Sequence, residues 1–447
     1  MEAVPWLLAA WRHLGGGVHH VKLRPGIRFH DRTPLNAKTF AESAREFIAP
    51  RDFIGLDPHR IKPVSEDVVE MQSTSGSGWM IDTMTHAAAS VFRVHKDWQT
   101  RPEGTGPYRL MAYSPQERLE LTCFEDYWGS RPYQRRVRYQ FLPDPQSRLQ
   151  ALLRGEVDVV SDVVPEMLAA LEPSDPRIQL HVSRPVRYAA LLCNIRGPEP
   201  YSALRDVRVR RALALAIDRE AIRRVMYAGT AQVGQGILPG WMYGLGDASC
   251  EGFGFNRFAA EQLLDDAGWR LGENGVRRQG KRPLSLRLVA AFPNASIVKP
   301  LPEILERMFR AIGVATEIAQ VEDSELYYSA YADRGEGDLF LELAGGGNSD
   351  PTYLLSNIFH SKSPWSFYRY IAPGERVDSL IDEARKEPNR DRVVELIREA
   401  HRRIVDEAVA AIPILMVPNF VLSRPGLALT MSENLDWVNF GSARPEQ

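Results

Sequence analysis

Residues 21–40 read VKLRPGIRFHDRTPLNAKTF, and the order of residue types sets the architecture of the first part of the chain. Val21, Leu23, Ile27 and Phe29 occupy odd positions with Lys22, Arg24, Arg28 and His30 between them, the period-two pattern of a half-buried strand. Asp31-Arg32-Thr33-Pro34 then combines residues that favour a turn. Asn36 is placed to cap a helix over the following residues, whose apolar stripe is Phe40, Ala44 and Phe47. The expected unit is strand, turn, helix. The same stretch also looks like chemistry, because His30 and Asp31 are adjacent and His19 and His20 lie just upstream. Neighbouring residues on a continuing strand point to opposite faces, so His30 and Asp31 could not share one metal there. Scaffold is the expected role for both.

Composition excludes several function classes. With 447 residues the chain divides into two or three domains. A formal net charge of −2 gives no reason to expect nucleic acid as a partner. Cys123, Cys193 and Cys250 are far apart and lack metal-ligand spacing, so three idle buried thiols are expected rather than a disulfide framework or a zinc site. No apolar run is long enough to span a membrane, and MEAVPWLLAAWRHLGGG lacks the basic start and long apolar segment of an export signal.

Beyond the opening unit, short apolar runs alternate with helical periodicity, which argues α/β. GTGPYRLMAYS, ERLELTCFEDYW and RRVRYQFLP read as neighbouring strands, and VDVV and RPVRYAALLCNI as buried ones. DVRVRRALALAIDREAIRRVMYAG reads as two helices broken near Asp218. FNRFAAEQLLDDAGW and LPEILERMFRAIGV read as helices closed by Gly268 and Gly313, with LSLRLVAAF and ATEIAQVE as strands. No Gly-Lys-Ser/Thr phosphate loop, GxSxG elbow, HExxH, CxxC or Rossmann fingerprint occurs, so nothing favours catalysis. AGGGNSDP (344–351) follows an apolar strand; it is either a plain turn or a place where backbone approaches a ligand at a strand's carboxyl end. The aromatics of SKSPWSFYRYIAPG, Trp365 among them, either line a pocket or pack into the core.

In order, WRHLGGGVHHVKLRPGIRFHDRTPLNA, GTGPYRL, FEDYWGSRPY, VRYQFLPDPQSRLQALLRGEVDVV, LCNIRGPEPYSALRDVRVRRALALAIDREAI, AEQLLDDAGW and DEAVAAIPIL resemble the family 5 extracellular solute-binding proteins, the peptide/nickel group of ABC importers. The resemblance implies an α/β bilobal periplasmic binding protein fold of type II, in the large peptide/nickel-binding class, with two crossovers. Lobe I would be 1–185 plus 417–447, with an amino-terminal family segment missing, and lobe II 186–416. It implies capture of a small solute, oligopeptide-like or a metal chelate, and delivery to membrane permease subunits by a monomer that is periplasmic or on the cell surface. It implies no cofactor and no catalysis; a ligand-sensing regulator of the same fold is the alternative. The expected ligand contacts are Arg93, Tyr188, Gly346, Gly347, Asn348, Asp350, Tyr353 and Trp365. Arg93 would either receive a ligand carboxylate or form a surface ion pair, and Asp350 would either cap a helix or touch ligand.

Two departures separate the chain from the family's known ligand sets. The aspartate that holds a peptide ammonium in dipeptide-binding relatives falls at Gly347. The nickel group's loop Trp and Tyr fall at Gly345 and Ser349, its pocket arginine falls near Ser90, and His360 is displaced from its histidine. The family also usually places Gly where Arg32 stands.

Overall fold

The computed structural model describes residues 4–48, 56–73, 80–86, 89–171, 175–240, 244–245, 250–291, 298–321, 334–345, 350–363, 370–431 and 438–445. Four strands form the first sheet in the order β1 (Leu8–Gly15), β2 (Val18–Leu23), β4 (Val68–Gln72), β3 (Lys62–Pro63). β2 stops at Leu23, short of the expected strand, because Pro25 cannot donate to a ladder and Gly26 adopts a φ of 78°. Ile27 and Phe29 still reach the same core beyond the break. The turn is as expected: Asp31 Oδ1 accepts from Thr33 N at 2.8 Å, and Arg32 adopts a φ of 69°. Helix α1 (Ala37–Ile48) follows, with Asn36 and Thr39 exchanging side chain-to-backbone hydrogen bonds at 3.0 Å across its first turn. Phe40, Ala44 and Phe47 are buried against β2 and β4; each buried phenylalanine is worth roughly 2–3 kcal/mol in apolar transfer.

A short helix, α2 (Met80–Thr83), joins this core through Met80 and Ile81. A three-stranded antiparallel sheet then forms from β5 (Tyr108–Ser114), β6 (Arg118–Cys123) and β7 (Arg136–Gln140), and α3 (Pro145–Leu153) follows with Gly155 just beyond it at a φ of 71°. The expected strand VDVV shrinks to β8 (Val159–Val160), and α4 (Pro165–Ala169) succeeds it.

The largest sheet runs β10–β17–β9–β16–β14–β15, with β8 paired to β17. Its spine is the antiparallel pair β9 (Gln179–Cys193) and β17 (Ala411–Ser423). α5 (Val207–Ala216) and α6 (Arg219–Tyr227) divide where expected, Asp218 Oδ1 capping the second at Ala221 N. β10 (Gln232–Val233) edges the sheet. α7 (Arg257–Asp266) leads into a small sheet of β11 (Arg270–Leu271), β12 (Arg277–Gln279) and β13 (Arg282–Pro283). β14 (Ser285–Ala291), α8 (Leu301–Ala311) and β15 (Ala315–Val321) form a parallel crossover, and β16 (Leu339–Gly345) lies parallel to β14 and antiparallel to β9. α9 (Pro351–Phe359), α10 (Glu375–Lys386) and α11 (Arg390–Arg402) precede β17, and β18 (Leu427–Met431) with β19 (Val438–Pro445) closes the chain.

Strand alternation explains why the central strands are apolar on both faces. Ala189, Leu191, Leu288 and Leu341 face one core with residues of α5, α7 and α8, whereas Tyr188, Ala190, Leu192, Val289 and Phe340 face a second with residues of α9, α10 and α11. A sheet covered by helices on both sides needs such continuous apolar runs. Arg219 fastens α6 to the sheet, donating to the carbonyls of Pro413, Ala214 and Phe253 at 2.8–3.0 Å. Burial lowers its pKa to about 10.

Candidate ligand-binding cleft

The site is built around the carboxyl end of β16. β16 ends at Gly345, and its register carries Ala344 opposite Tyr188. Gly346, Gly347 and Asn348, together with Trp365, lie outside the described residues, so the flanks define the site. On the far flank Asp350 caps α9: its Oδ1 accepts from Thr352 N at 2.8 Å and from Thr352 Oγ1 at 2.7 Å. The cap role anticipated from its place before Pro351 is therefore filled, and Pro351 at the first helical position reinforces it.

The second carboxylate oxygen does something the local sequence does not suggest. Asp350 Oδ2 accepts a hydrogen bond from Thr83 Oγ1, on α2, at 3.0 Å. Beside it Arg390, the first residue of α11, donates to Asp82 Oδ1 at 3.0 Å. The rings of His86 and Tyr353 lie 5.7 Å apart, tilted by 47°. Burial raises the Asp82 carboxyl above its ordinary range even though the Arg390 guanidinium opposes the shift. Burial likewise raises Asp350, against the hydrogen bonds from Thr352 and Thr83, and pushes the Tyr353 hydroxyl up to about 12. Asp82, Thr83, His86 and Arg390 were absent from the sequence expectation. The signal available for Arg390 was its place at a helix amino terminus, where a cation opposes the dipole unless an anion meets it.

The remaining expected residues fall in different settings. Tyr188 is fully buried in the core shared with α9, α10 and α11, beneath the strand end. Arg93 lies within ion-pair range of Asp31 Oδ2 at 3.7 Å and Glu42 Oε2 at 3.9 Å, and it donates to Val94 O at 3.2 Å. The ion pair is thus realised, and its side chain stays half-buried. His360, set aside from the nickel pattern, has its Nε2 3.4 Å from Asp382 Oδ1 and its Nδ1 accepting from Lys362 N at 2.9 Å.

The opening histidine is structural. His30 Nδ1 accepts from Gly104 N at 3.1 Å and Nε2 donates to Gly106 O at 3.0 Å, so both ring nitrogens hold the GTG loop. Burial lowers its pKa, which keeps the ring in the neutral form that such a donor–acceptor pair requires. The three thiols are buried, and burial pushes Cys193 up to about 12, far from a reactive thiolate. A concavity of about 450 Å³ lined by Glu303, Glu306, Arg307, Arg310, Thr316 and Ile318 lies between α8 and β15, away from the end of β16, and its charges pair within α8 as Arg310 with Glu306.

Comparison with known proteins bears on the family and the fold. Residues 2–365 match the family described as bacterial extracellular solute-binding proteins, family 5 middle. The nickel-binding periplasmic protein of Escherichia coli K12 is 24% identical over 446 residues, covering 95% of this chain and 83% of that protein. The dipeptide-binding protein of the same organism is 26% identical over 321 residues, 70% of this chain and 55% of its own length. Among solved structures, NikA from Brucella suis in complex with Fe(III)-EDTA superposes with a TM-score of 0.86 at 19% identity, over 99% of this chain and 91% of that one. A dipeptide-binding protein from Pseudoalteromonas sp. SM9913 in complex with Met-Leu gives 0.77 at 18% identity, over 99% and 90%. The fold is therefore the bilobal one of the periplasmic binding proteins, and the chain belongs to the family 5 bacterial extracellular solute-binding proteins.

Proposed function

We propose that this protein is the capturing component of an ABC importer for a small metal chelate or an oligopeptide-like solute, enclosed between two lobes and handed to a membrane permease. The observation that carries the reading is the end-to-end match to a nickel-binding periplasmic protein, which covers 95% of this chain. The dipeptide-binding relative matches a smaller share, 70%, and on that difference our reading puts the chelate first. Lobe I comprises 1–185 plus 417–447 and lobe II 186–416. Support for that division is a break in register of the β9–β17 pair, one of three, between Val417, opposite Arg187, and Pro418, opposite Pro185. A bulge in a strand pair that passes between lobes supplies a bend without loss of the ladder. The protein acts as a monomer outside the cytoplasmic membrane; support for the location is the nickel-binding relative, which is named as periplasmic. A sensor without transport draws no support from the relatives.

Asp350 and Tyr353 flank the glycine stretch and are the described residues best placed to meet the ligand, with Arg93 as the cation that could exchange its ion pairs with Asp31 and Glu42 for a ligand carboxylate. Hinge closure would bury solute between them, while energy for transport comes from the importer's ATPase. A thermal-shift series tests this with nickel alone, nickel–histidine and dipeptides. A ligand at a hundredfold excess over its Kd stabilises the native state by about 2.7 kcal/mol. A rise in melting temperature with nickel–histidine alone supports the chelate reading, and a rise with dipeptides alone transfers the protein to peptide capture. No rise with any of them overturns both.

A further inference from the structure

Among the described residues, two cores approach each other at a small contact. Met80 and Ile81 belong to the core of the first sheet, with α1, whereas α9 and α11 belong to a core of the largest sheet. Between them lie the Asp82–Arg390 ion pair at 3.0 Å, the Thr83–Asp350 hydrogen bond at 3.0 Å and the His86–Tyr353 ring contact at 5.7 Å. We propose that this contact is a clasp: residues 82–86 of one lobe grip the amino termini of α9 and α11 of the other and hold the lobes closed beside the ligand stretch.

Position and burial carry the inference. The Asp82 side chain is 4% exposed and that of Arg390 41% exposed, so the carboxylate is enclosed while its cation reaches it from the rim. Separating the lobes would return Asp82, Thr83 and Asp350 to water, and closing them requires each to find its partner again. Partners at such a joint decide the closed population, because removing one leaves a buried charge or hydroxyl unmatched only in the closed form. Asp350 also links the clasp to the ligand side, since the same carboxylate caps α9 immediately after the glycine stretch. Ligand that moves this cap thereby moves the clasp. The groups facing Asp82 include Arg390 and Asp350, and those facing Asp350 include Thr352, Thr83, Arg385, Tyr353 and Asp82 itself. A second carboxylate nearby makes the Arg390 cation the element that lets both stay in place.

The clasp rests on the solute-capture reading, but its test needs no ligand, so the two can fail separately. Small-angle X-ray scattering of the ligand-free chain is compared among the parent, Thr83→Val and Arg390→Ala. Hydrogen exchange is followed at the amides of Met84, Thr85 and His86, which close the turns after α2. Arg390→Ala, made on the opposite lobe, should enlarge the radius of gyration and speed exchange at these amides by tenfold or more, with the melting transition retained. Thr83→Val should do the same to a lesser degree. Unchanged scattering and exchange in both folded variants overturns the clasp. Should Arg390→Ala fail to fold, Thr83→Val, which keeps the side-chain shape, decides alone.

Discussion

The two ends of β16 each carry a buried aspartate, and the chain uses them in opposite ways. Asp338, just before the strand, is enclosed within one lobe. Its Oδ2 accepts from Arg287 N at 2.8 Å, and its carbonyl accepts from Asn194 N at 2.9 Å. Its Oδ1 has no hydrogen-bond partner among the described residues. Asp350, just after the strand, accepts from Thr352 in its own helix and from Thr83 across the joint. Burial raises both carboxyls, Asp338 to about 6. One end is held by Arg287 and Asn194, on and next to the neighbouring strands, while the other reaches Thr83, 267 positions away, across the contact proposed above as a clasp. Substitutions at the first end should therefore alter stability, and those at the second should alter the separation of the lobes.

The largest effect is expected at the fixed end. Asn194 is fully buried and donates through its amide nitrogen to Gly335 O at 3.1 Å and Gly337 O at 2.8 Å. Asn194→Ala removes both donors and leaves two carbonyls to be buried unpaired, a loss of about 4 kcal/mol at one to three per group. Urea denaturation should show a lower midpoint with unchanged scattering before unfolding. A larger radius of gyration in the folded variant would break the contrast between the two ends.

Next is Asp338→Asn. A carboxyl with a folded pKa near 6 and an ordinary value of 3.8 binds protons more tightly when folded. Its contribution is fully present below the ordinary value and is lost as pH rises through about 6. The full change is roughly 3 kcal/mol, of which about 2.4 kcal/mol falls between pH 4 and pH 7. The amide keeps an acceptor for Arg287 N without the buried charge. The variant should therefore gain stability relative to the parent as pH rises across that window, measured by denaturant midpoints at several pH values. An equal difference at every pH would remove the buried charge from the account.

At the joint the effect on stability is smaller. Asp350→Ala removes the α9 cap, worth about 1 kcal/mol, and the acceptor for Thr83. Its melting temperature should fall by a few degrees at most, while the scattering profile shifts toward an open form. Asp350→Asn keeps one oxygen to accept from Thr352 N, and its amide nitrogen can donate to Thr83 Oγ1 once that hydroxyl turns, so it should stay closer to the parent than Asp350→Ala in both measurements. A closed Asp350→Ala variant would show that the two ends of β16 do not differ as argued.

The difference between the ends also explains what was readable in the chain. Strand alternation, the Asn36 cap, the division at Asp218 and the glycine stops at Gly268 and Gly313 are local, and each lies where the residue pattern placed it. The strand through Val21 is shorter than alternation predicts, because Pro25 and Gly26 end its ladder. The familiar DVRVRRALALAIDREAI segment turned out to be framework: Arg210 and Arg219 are buried and donate to backbone carbonyls. At the site, Asp350 was legible as a cap because Pro351 follows it. Its contact with Thr83 was not legible, since 267 positions separate the two. Asp82 and Arg390, 308 positions apart, are residue types that usually meet water, and only the packing of two cores makes them partners.

The smallest effect belongs to the turn in the opening stretch, and it serves as a control far from both ends of β16. Arg32 has a φ of 69°, a left-handed conformation that costs a side chain about 1–2 kcal/mol. Glycine adopts it without that cost but gives up about 0.5–1 kcal/mol through its freer unfolded chain. Arg32→Gly also removes an ion pair with Asp126 at 2.8 Å, whose side chains are 72% and 43% exposed, and such pairs contribute little. The backbone gain and the two losses nearly cancel, leaving a change within about 0.5 kcal/mol of zero. Denaturant midpoints should therefore barely move, and scattering and exchange at residues 84–86 should not move at all. A shift in lobe separation from this substitution would mean that closure responds to strain anywhere in the first lobe. The clasp would then lose its claim to be the specific control, because the turn touches neither α2 nor the amino termini of α9 and α11 in any contact among the described residues.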